Sequence, residues 1–221
     1  MTLTHLTGFI IHSRPYQEKR AIYQLFSREW GVVHGVGGRG VPSFVMIELF
    51  ATGQNSLKTF SQIHIATSAP TAHVGQNQYA LLYLNELIYK LVAVENPCPA
   101  LWHSYHDSVE RLHTPCDMNQ MKAVLRHFET ALFDELGVSI DWAVDSVGQM
   151  IDECKFYQFI PNQGFVKSIT GISGETILKM TDDDFDKMTI MGQIHRTLID
   201  DLLEYKPLNS RKLWAEQLKY R

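Results

Sequence analysis

The sequence predicts an α+β chain, with a small five-stranded β-barrel at the N-terminus and then a mainly α-helical domain that carries a β-hairpin. Three observations point there. Residues 1–66 hold short β-type runs and no long helical period. At 67–75 ("TSAPTAHVG") the pattern changes, and from residue 76 apolar side chains recur at three- and four-residue spacing. Within the second half, "KFYQFIPNQGFVKSI" at 155–169 sets two β-type runs around a Pro-Asn-Gln-Gly turn. The expected domains are therefore 1–70 and 76–221, joined by the 67–75 linker. A chain of 221 residues with 45% apolar composition suits one large or two small globular domains.

In chain order, the candidate strands are 7–14, 20–28, 31–37, 43–51 and 56–66. In the last, Leu57, Thr59, Ser61, Ile63 and Ile65 alternate with Lys58, Phe60, Gln62 and His64, the period of two of a half-buried strand. Five short strands with Gly-rich turns suggest a closed barrel, for which the OB-fold is the commonest five-stranded choice. Residues 35–40 read "GVGGRG", a Gly-x-Gly-x-x-Gly pattern. A dinucleotide fingerprint must leave a strand and open a helix. Here Val41 and Pro42 lead into the β-type run "SFVMIELFAT", and no acidic residue stands about 20 positions on. The motif reads as a loop between strands.

The first helix is "QYALLYLNELIYKLVAV", where Leu81, Leu84, Leu87, Ile88 and Leu91 form the core-facing stripe; it stops at "ENPCP". Further helices are expected at about 99–112, at 118–136 with Gly137 halting it, at 182–204, and in "KPLNSRKLWAEQL" behind Pro207. No apolar stretch approaches the roughly 20 residues of a membrane span. The N-terminus lacks an early Lys/Arg cluster and a small-residue cleavage site, so no signal peptide is expected. Cys98, Cys116 and Cys154 are widely spaced and suit free thiols in a reducing cytosol.

The net charge of −4 argues against a strongly basic nucleic-acid binder, but the balance is uneven. Residues 1–70 carry six basic and three acidic side chains, and the remainder fourteen and twenty-one. That is compatible with an anion-facing first module, or with chance scatter over a short segment. His103, His106 and Asp107 in "HSYHD" lack the further cluster a metal site would need. There is no Cys-x-x-Cys pair, "GISG" at 171–174 is not a nucleophile elbow, and the acidic "TDDDFDK" at 181–187 suits a helix start. No catalytic residue, metal or cofactor is expected.

Four strings, "GFIIHSRPYQEKRAIYQLFSREWG" (8–31), "YLNELIYKLV" (83–92), "LRHFETALFDELG" (125–137) and "KPLNSRKLW" (206–214), occur in the order expected of the RecO family, so the chain resembles a bacterial recombination mediator. The resemblance implies an OB-fold followed by a helical domain, and a non-enzymatic, cytoplasmic and nucleoid-associated role in DNA repair. It further implies binding of single- and double-stranded DNA, annealing of strands coated by single-strand-binding protein (SSB), and help to RecR in loading RecA, with RecF as a further partner. Two departures stand out. The loop after the third strand, usually rich in Lys and Arg, keeps only Arg39, so a shallow salt dependence is expected. Where many relatives carry a four-cysteine zinc ribbon, only Cys154 remains in 142–160, so packing of Phe156, Tyr157 and Phe159 would have to hold that segment. The alternative role is an adaptor for SSB or RecR with weak or lost DNA binding; a nucleotide-dependent enzyme rests only on the glycine motif.

Two sets of site residues follow. Alternation places Arg20, Ile22, Gln24, Phe26 and Arg28 on one strand face, and Arg14, Arg20, Arg28, Arg39 and Lys58 are the expected phosphate contacts as far as they share a face. Phe26 either stacks on bases or is buried. In the helix at 118–136, Met121, Leu125, Phe128, Leu132 and Leu136 form the core stripe, while Lys122, Arg126 and Phe133 fall within about 40° of one another. That trio suits the acidic, carboxylate-ended SSB tail, which the RecO resemblance places in the helical domain, with Arg126 on the terminal carboxylate. The alternative is solvated cations beside a Phe133 packed on another helix.

Overall fold

In a computed structural model, which describes residues 3–66, 77–180 and 185–219, the chain divides into two compact units, Met1–Cys116 with Leu208–Arg221, and Asp117–Pro207. The expected linker at 67–75 and residues 181–184 of the acidic stretch lie outside the described residues. This division differs from one at 70/76, because three of the helices pack with the barrel in the first unit.

The first unit is built on β1 (Thr4–Gln17), β2 (Arg20–Ser27), β3 (Gly31–Gly38), β4 (Met46–Thr52) and β5 (Leu57–Ile65), closed in the order β1-β2-β3-β5-β4. The β3–β5 pair is parallel and the others antiparallel, the connectivity of an OB-fold. Leu6, Ile10, Tyr23, Leu25, Val33, Ile47, Leu49 and Phe60 fill the interior. Two local devices complete it. Gly35 and Gly37 of the glycine motif face inward, and a Cβ on Gly35 would lie 2.4 Å from the Phe60 ring. These glycines make room for barrel side chains. The left-handed Gln62 (φ 49°) breaks the alternation of β5, so Phe60 and Ile63 both pack on the interior. The fourth strand starts at Met46 rather than 43, after the left-handed Phe44 (φ 63°).

Helices α1 (Asn77–Leu91) and α2 (Pro99–His113) form as expected, although Leu91 is only half-buried. A bulge in β1 at Ile10/His12 interrupts the ladder there. The buried Asn85 of α1 answers it, donating to the carbonyls of Ile10 (3.4 Å) and Ile11 (3.2 Å) and accepting from the Tyr105 hydroxyl. Burial pushes the Tyr105 phenol pKa up, so it remains a donor. The last helix of the chain, α6 (Asn209–Lys219), begins on a side chain of α1: Glu86 accepts from the backbone of Asn209 (2.9 Å) and of Ser210 (2.8 Å) and from the Ser210 hydroxyl (2.7 Å). Burial opposes the Glu86 charge, but these bonds and Lys90 hold its carboxyl below the usual range.

The second unit contains α3 (Met118–Leu136), β6 (Phe156–Ile160), β7 (Gly164–Ser168), β8 (Ile172–Ser173), α4 (Gly174–Leu178) and α5 (Phe185–Leu202). Asp117 and Gln120 form a capping box at the start of α3, and left-handed Gly137 (φ 70°) ends it. The hairpin expected at 155–169 is β6–β7, with β8 added on the other edge of β6. Ile151, Tyr157, Phe165, Ile177 and Ile194 make this unit's small core, with Phe159 partly buried against it.

Candidate nucleic-acid interface

Ala21, Tyr23 and Leu25 point into the barrel, so Ile22, Gln24 and Phe26 face outward. Cross-strand pairing extends these into rows: Phe9–Phe26–Val32, His12–Gln24–His34, Arg14–Ile22–Val36 and Gln17–Arg20–Gly38. The first row is covered by α2, whose Tyr105 ring stands 5.3 Å from Phe9 and 5.4 Å from Phe26. Phe26 is therefore buried and offers no base a platform. The remaining rows are more polar and become basic toward the β1–β2 hairpin.

Three of the expected phosphate contacts meet at that hairpin. Arg14, Arg20 and Arg39 are exposed, and Arg39 Nε donates to the Arg20 carbonyl at 3.2 Å. The Arg39 amide bonds to the Lys19 carbonyl at 3.3 Å, pinning the end of β3 against the hairpin. Exposed Lys19 and Tyr16 join the cluster, as does the acidic Glu18. Burial, and next the Arg14 charge, lowers the His34 pKa, which Glu95 partly opposes. Arg28 is exposed but follows the far end of β2, about 26 Å from Arg20 at roughly 3.3 Å per residue. Lys58 departs from the expectation. It shares the inward face with Phe60, is 7% exposed, lies 2.8 Å from Glu95 Oε1 and stands over the Trp30 ring. Its charge is already answered within the fold.

Sequence reasoning passed over Lys19, Tyr16, His12 and His34 as site residues. It ended the first strand at 14, whereas β1 runs to Gln17 and a two-residue turn, Glu18-Lys19, joins it to β2. Reading that turn would have set the register and hence the rows.

In the second unit, Lys122, Arg126 and Phe133 do lie on one side of α3, but Glu129 lies there too, and this side packs on α5. Phe133 is buried edge-on to the His195 ring at 4.9 Å. Glu129 and His195 are each 1% exposed. The Glu129 carboxylate accepts from Arg126 Nη2 (2.9 Å) and from His195 Nδ1 (2.8 Å). Arg126 itself is 14% exposed, and its guanidinium passes so close to Gly192 that a Cβ there would be 2.7 Å from Nη1. Arg126 and Phe133 thus belong to a helix–helix contact rather than to an open aromatic and cationic patch.

The segment 142–160 is organised by carboxylates. Asp145 accepts from the amides of Val147 (3.1 Å) and Gln149 (2.9 Å) and pairs with Lys167 Nζ at 3.1 Å. Burial opposes its charge, yet these partners hold its carboxyl below the usual range. Asp152 accepts from the Cys154 amide at 2.9 Å. Tyr157 is fully buried, its hydroxyl accepting from the Asp152 amide, while Phe156 is 45% exposed and does not serve the core. On α2, His106 stacks on Trp102 with the rings 13° apart, and His103 Nδ1 lies 2.7 Å from the Pro99 carbonyl.

Comparison with known proteins agrees with these features. Residues 73–168 match the family model described as Recombination protein O C terminal. The chain is 31% identical to the DNA repair protein RecO of Pseudoalteromonas atlantica, over 98% of this chain and 96% of that one. It is 30% identical to the protein of the same name from Stutzerimonas stutzeri, over 95% and 93%. For that of Vibrio parahaemolyticus the identity is 28%, over 94% and 91%.

Proposed function

The chain belongs to the RecO family of DNA repair proteins, and from that premise we propose that it binds DNA on the outer face of its N-terminal barrel, at the β1–β2 hairpin. One observation carries this reading: Arg39 is tied to the backbone of Arg20 and Lys19, which concentrates Arg14, Lys19, Arg20 and Arg39 beside exposed Tyr16. Cations of this kind meet phosphates, and an exposed ring accepts an unstacked base. The role is that of a mediator rather than a catalyst: holding strands for annealing in the presence of SSB and, with RecR, helping RecA to load, with RecF as a further partner. Its place of action is the nucleoid in the cytoplasm.

The test is titration of labelled single and double strands at two salt concentrations. Each phosphate contact contributes about −0.7 to the log–log slope for single strands and about −0.9 for duplex. Arg14→Ala with Arg20→Ala and Arg39→Ala should flatten the single-strand slope by roughly two units. An unchanged slope would remove the barrel as the DNA site.

The adaptor reading is favoured by a different observation, the withdrawal of Lys58, an expected phosphate contact, into an internal pair. It predicts oligonucleotide affinity too weak to titrate even at low salt, with SSB-tail and RecR binding intact. For the tail itself, Arg126 would serve the terminal carboxylate only by giving up Glu129. Arg126→Ala should weaken tail binding tenfold or more if that exchange occurs; lost stability with unchanged tail affinity would assign Arg126 to the internal network alone.

A further inference from the structure

The row His12–Gln24–His34 does not end at the edge of β1. The His12 ring stands 4.8 Å from the ring of Tyr89 on α1, so a continuous line, Tyr89–His12–Gln24–His34, crosses the barrel at right angles to its strands. Tyr89 is 44% exposed. Beside it opens a cleft of about 430 Å³, lined by Ile11, His12, Ser13, Ser43, Tyr89 and Lys90 among others. That is within the range of sites that enclose small organic groups, roughly 300–1,000 Å³. The cleft also reaches the start of α6, but the amides there are already taken by Glu86, so they are not an anion site.

Two features give this line a chemistry. Gln24 Oε1 is shielded from solvent and has no hydrogen-bond partner among the described residues. A buried acceptor left unpaired costs free energy unless something supplies a donor. Cations flank the line, Arg14 one row toward the hairpin and, on the cleft wall, Lys90, whose Nζ lies 3.7 Å from Glu86 Oε1. Rings, an unpaired amide and flanking cations together match bases with exposed edges and faces on a phosphate backbone. A duplex, whose bases are stacked, presents no base face to Tyr89. Adjacent strands lie about 4.8 Å apart, so His12 to His34 spans about 10 Å.

Resting on the reading of the barrel as the DNA site, the geometry points to a single-strand track along Tyr89–His12–Gln24–His34. One unstacked base lies in the cleft against Tyr89 and His12, Gln24 turns its amide outward to bond the edge of a second base, and Arg14 holds a flanking phosphate, joined by Lys90 as it leaves Glu86. The track makes the surface selective for single strands, which the cationic hairpin alone is not.

The full-length protein tests this with Tyr89→Leu and Gln24→Leu, titrated against single strands, duplex and an acidic peptide ending in a free carboxylate. A strand carrying 2-aminopurine reports stacking directly. Tyr89→Leu should lose single-strand affinity at least fivefold, keep duplex affinity and the salt slope, and abolish the 2-aminopurine quench seen with the wild type. Gln24→Leu should weaken single-strand binding while its melting temperature stays level or rises, because an unpaired buried acceptor is gone. If the Arg14, Arg20 and Arg39 variant loses DNA but both leucine variants bind single strands like the wild type, the track is wrong and the barrel reading stands. If that arginine variant binds DNA normally, the barrel reading itself fails. Loss of peptide binding in Tyr89→Leu with unchanged oligonucleotide binding would assign the cleft to a peptide and overturn the proposal.

Discussion

The barrel face and the α3–α5 contact treat arginine in opposite ways. On the barrel, Arg14, Arg20 and Arg39 stand at the end of a hairpin with their side chains in solvent, and the backbone positions them. In the second unit, Arg126 lies along α5, its guanidinium bonded to a carboxylate that is itself buried and shared with His195. An exposed arginine contributes little to stability and is available to a phosphate. A buried one is bound into the fold, and removing its partner leaves an uncompensated charge. The same residue type therefore forms an open cationic surface in one unit and an internal joint in the other, and burial of the partner carboxylate separates the two.

The contrast can be broken most directly at Glu129. Glu129→Ala should cost about 3–5 kcal/mol in the second unit, since both Arg126 and His195 lose their shared acceptor. Urea denaturation followed by tryptophan fluorescence would measure it, with oligonucleotide affinity unchanged as the control. A loss below about 1 kcal/mol would show that the network is solvated and that Arg126 resembles the barrel arginines after all.

On the barrel side the sensitive position is a glycine rather than a charge. Gly35→Ala should destabilise the first unit by about 1–3 kcal/mol, because its Cβ would overlap the Phe60 ring. Thermal unfolding by circular dichroism would read this, and restoration of part of the loss by Phe60→Leu would identify the overlap as the cause.

Smaller effects sharpen the comparison through pH. The folded-state carboxyl of Glu86 titrates below its ordinary value of 4.5. Its contribution is therefore complete above that value and is lost as pH falls through the lower, folded-state one. Melting temperatures of wild type and Glu86→Gln should differ near neutrality and converge as pH falls below 4.5. Divergence on acidification would refute the bond between α1 and α6 as the source.

The smallest effect is expected from chelator. The turns at 145–154 are held by Asp145 and Asp152, so the melting temperature should not move, and elemental analysis of the purified protein should find no stoichiometric zinc. A zinc-dependent shift would reassign this segment.

Much of this architecture was legible in local pattern. The period change after residue 66 and the glycine after Leu136 located elements to within a few residues. The fates of Lys58, Phe26 and Arg126 were not legible, although each was singled out. In β5 before Gln62 the residues that face the core are Lys58 and Phe60 rather than Leu57, Thr59 and Ser61, because Gly35 opens space for Phe60, and Lys58 follows Phe60 inward. Phe26 lies on the outward face of β2, but α2 covers that end of the strand. On α3 the side that carries Arg126 is polar enough to read as solvated, and it is buried by α5 through one ion pair and one ring.

The sequence by itself determined the order of elements and the barrel-then-helices plan, because these rest on periodicity and turn chemistry acting between near neighbours, and it carried the family through the four strings that resemble RecO. Only the tertiary structure decided which cations remain in solvent and which polar side chains align across strands. Those outcomes depend on which element covers which face: α2 over Phe26, α5 over Arg126, Glu95 against Lys58. Each cover comes from residues far along the chain, and a face that is half apolar and half charged is stable in water or beneath another helix. Which of the two occurs is set by the partner it meets, and a local stretch of sequence carries no record of that partner.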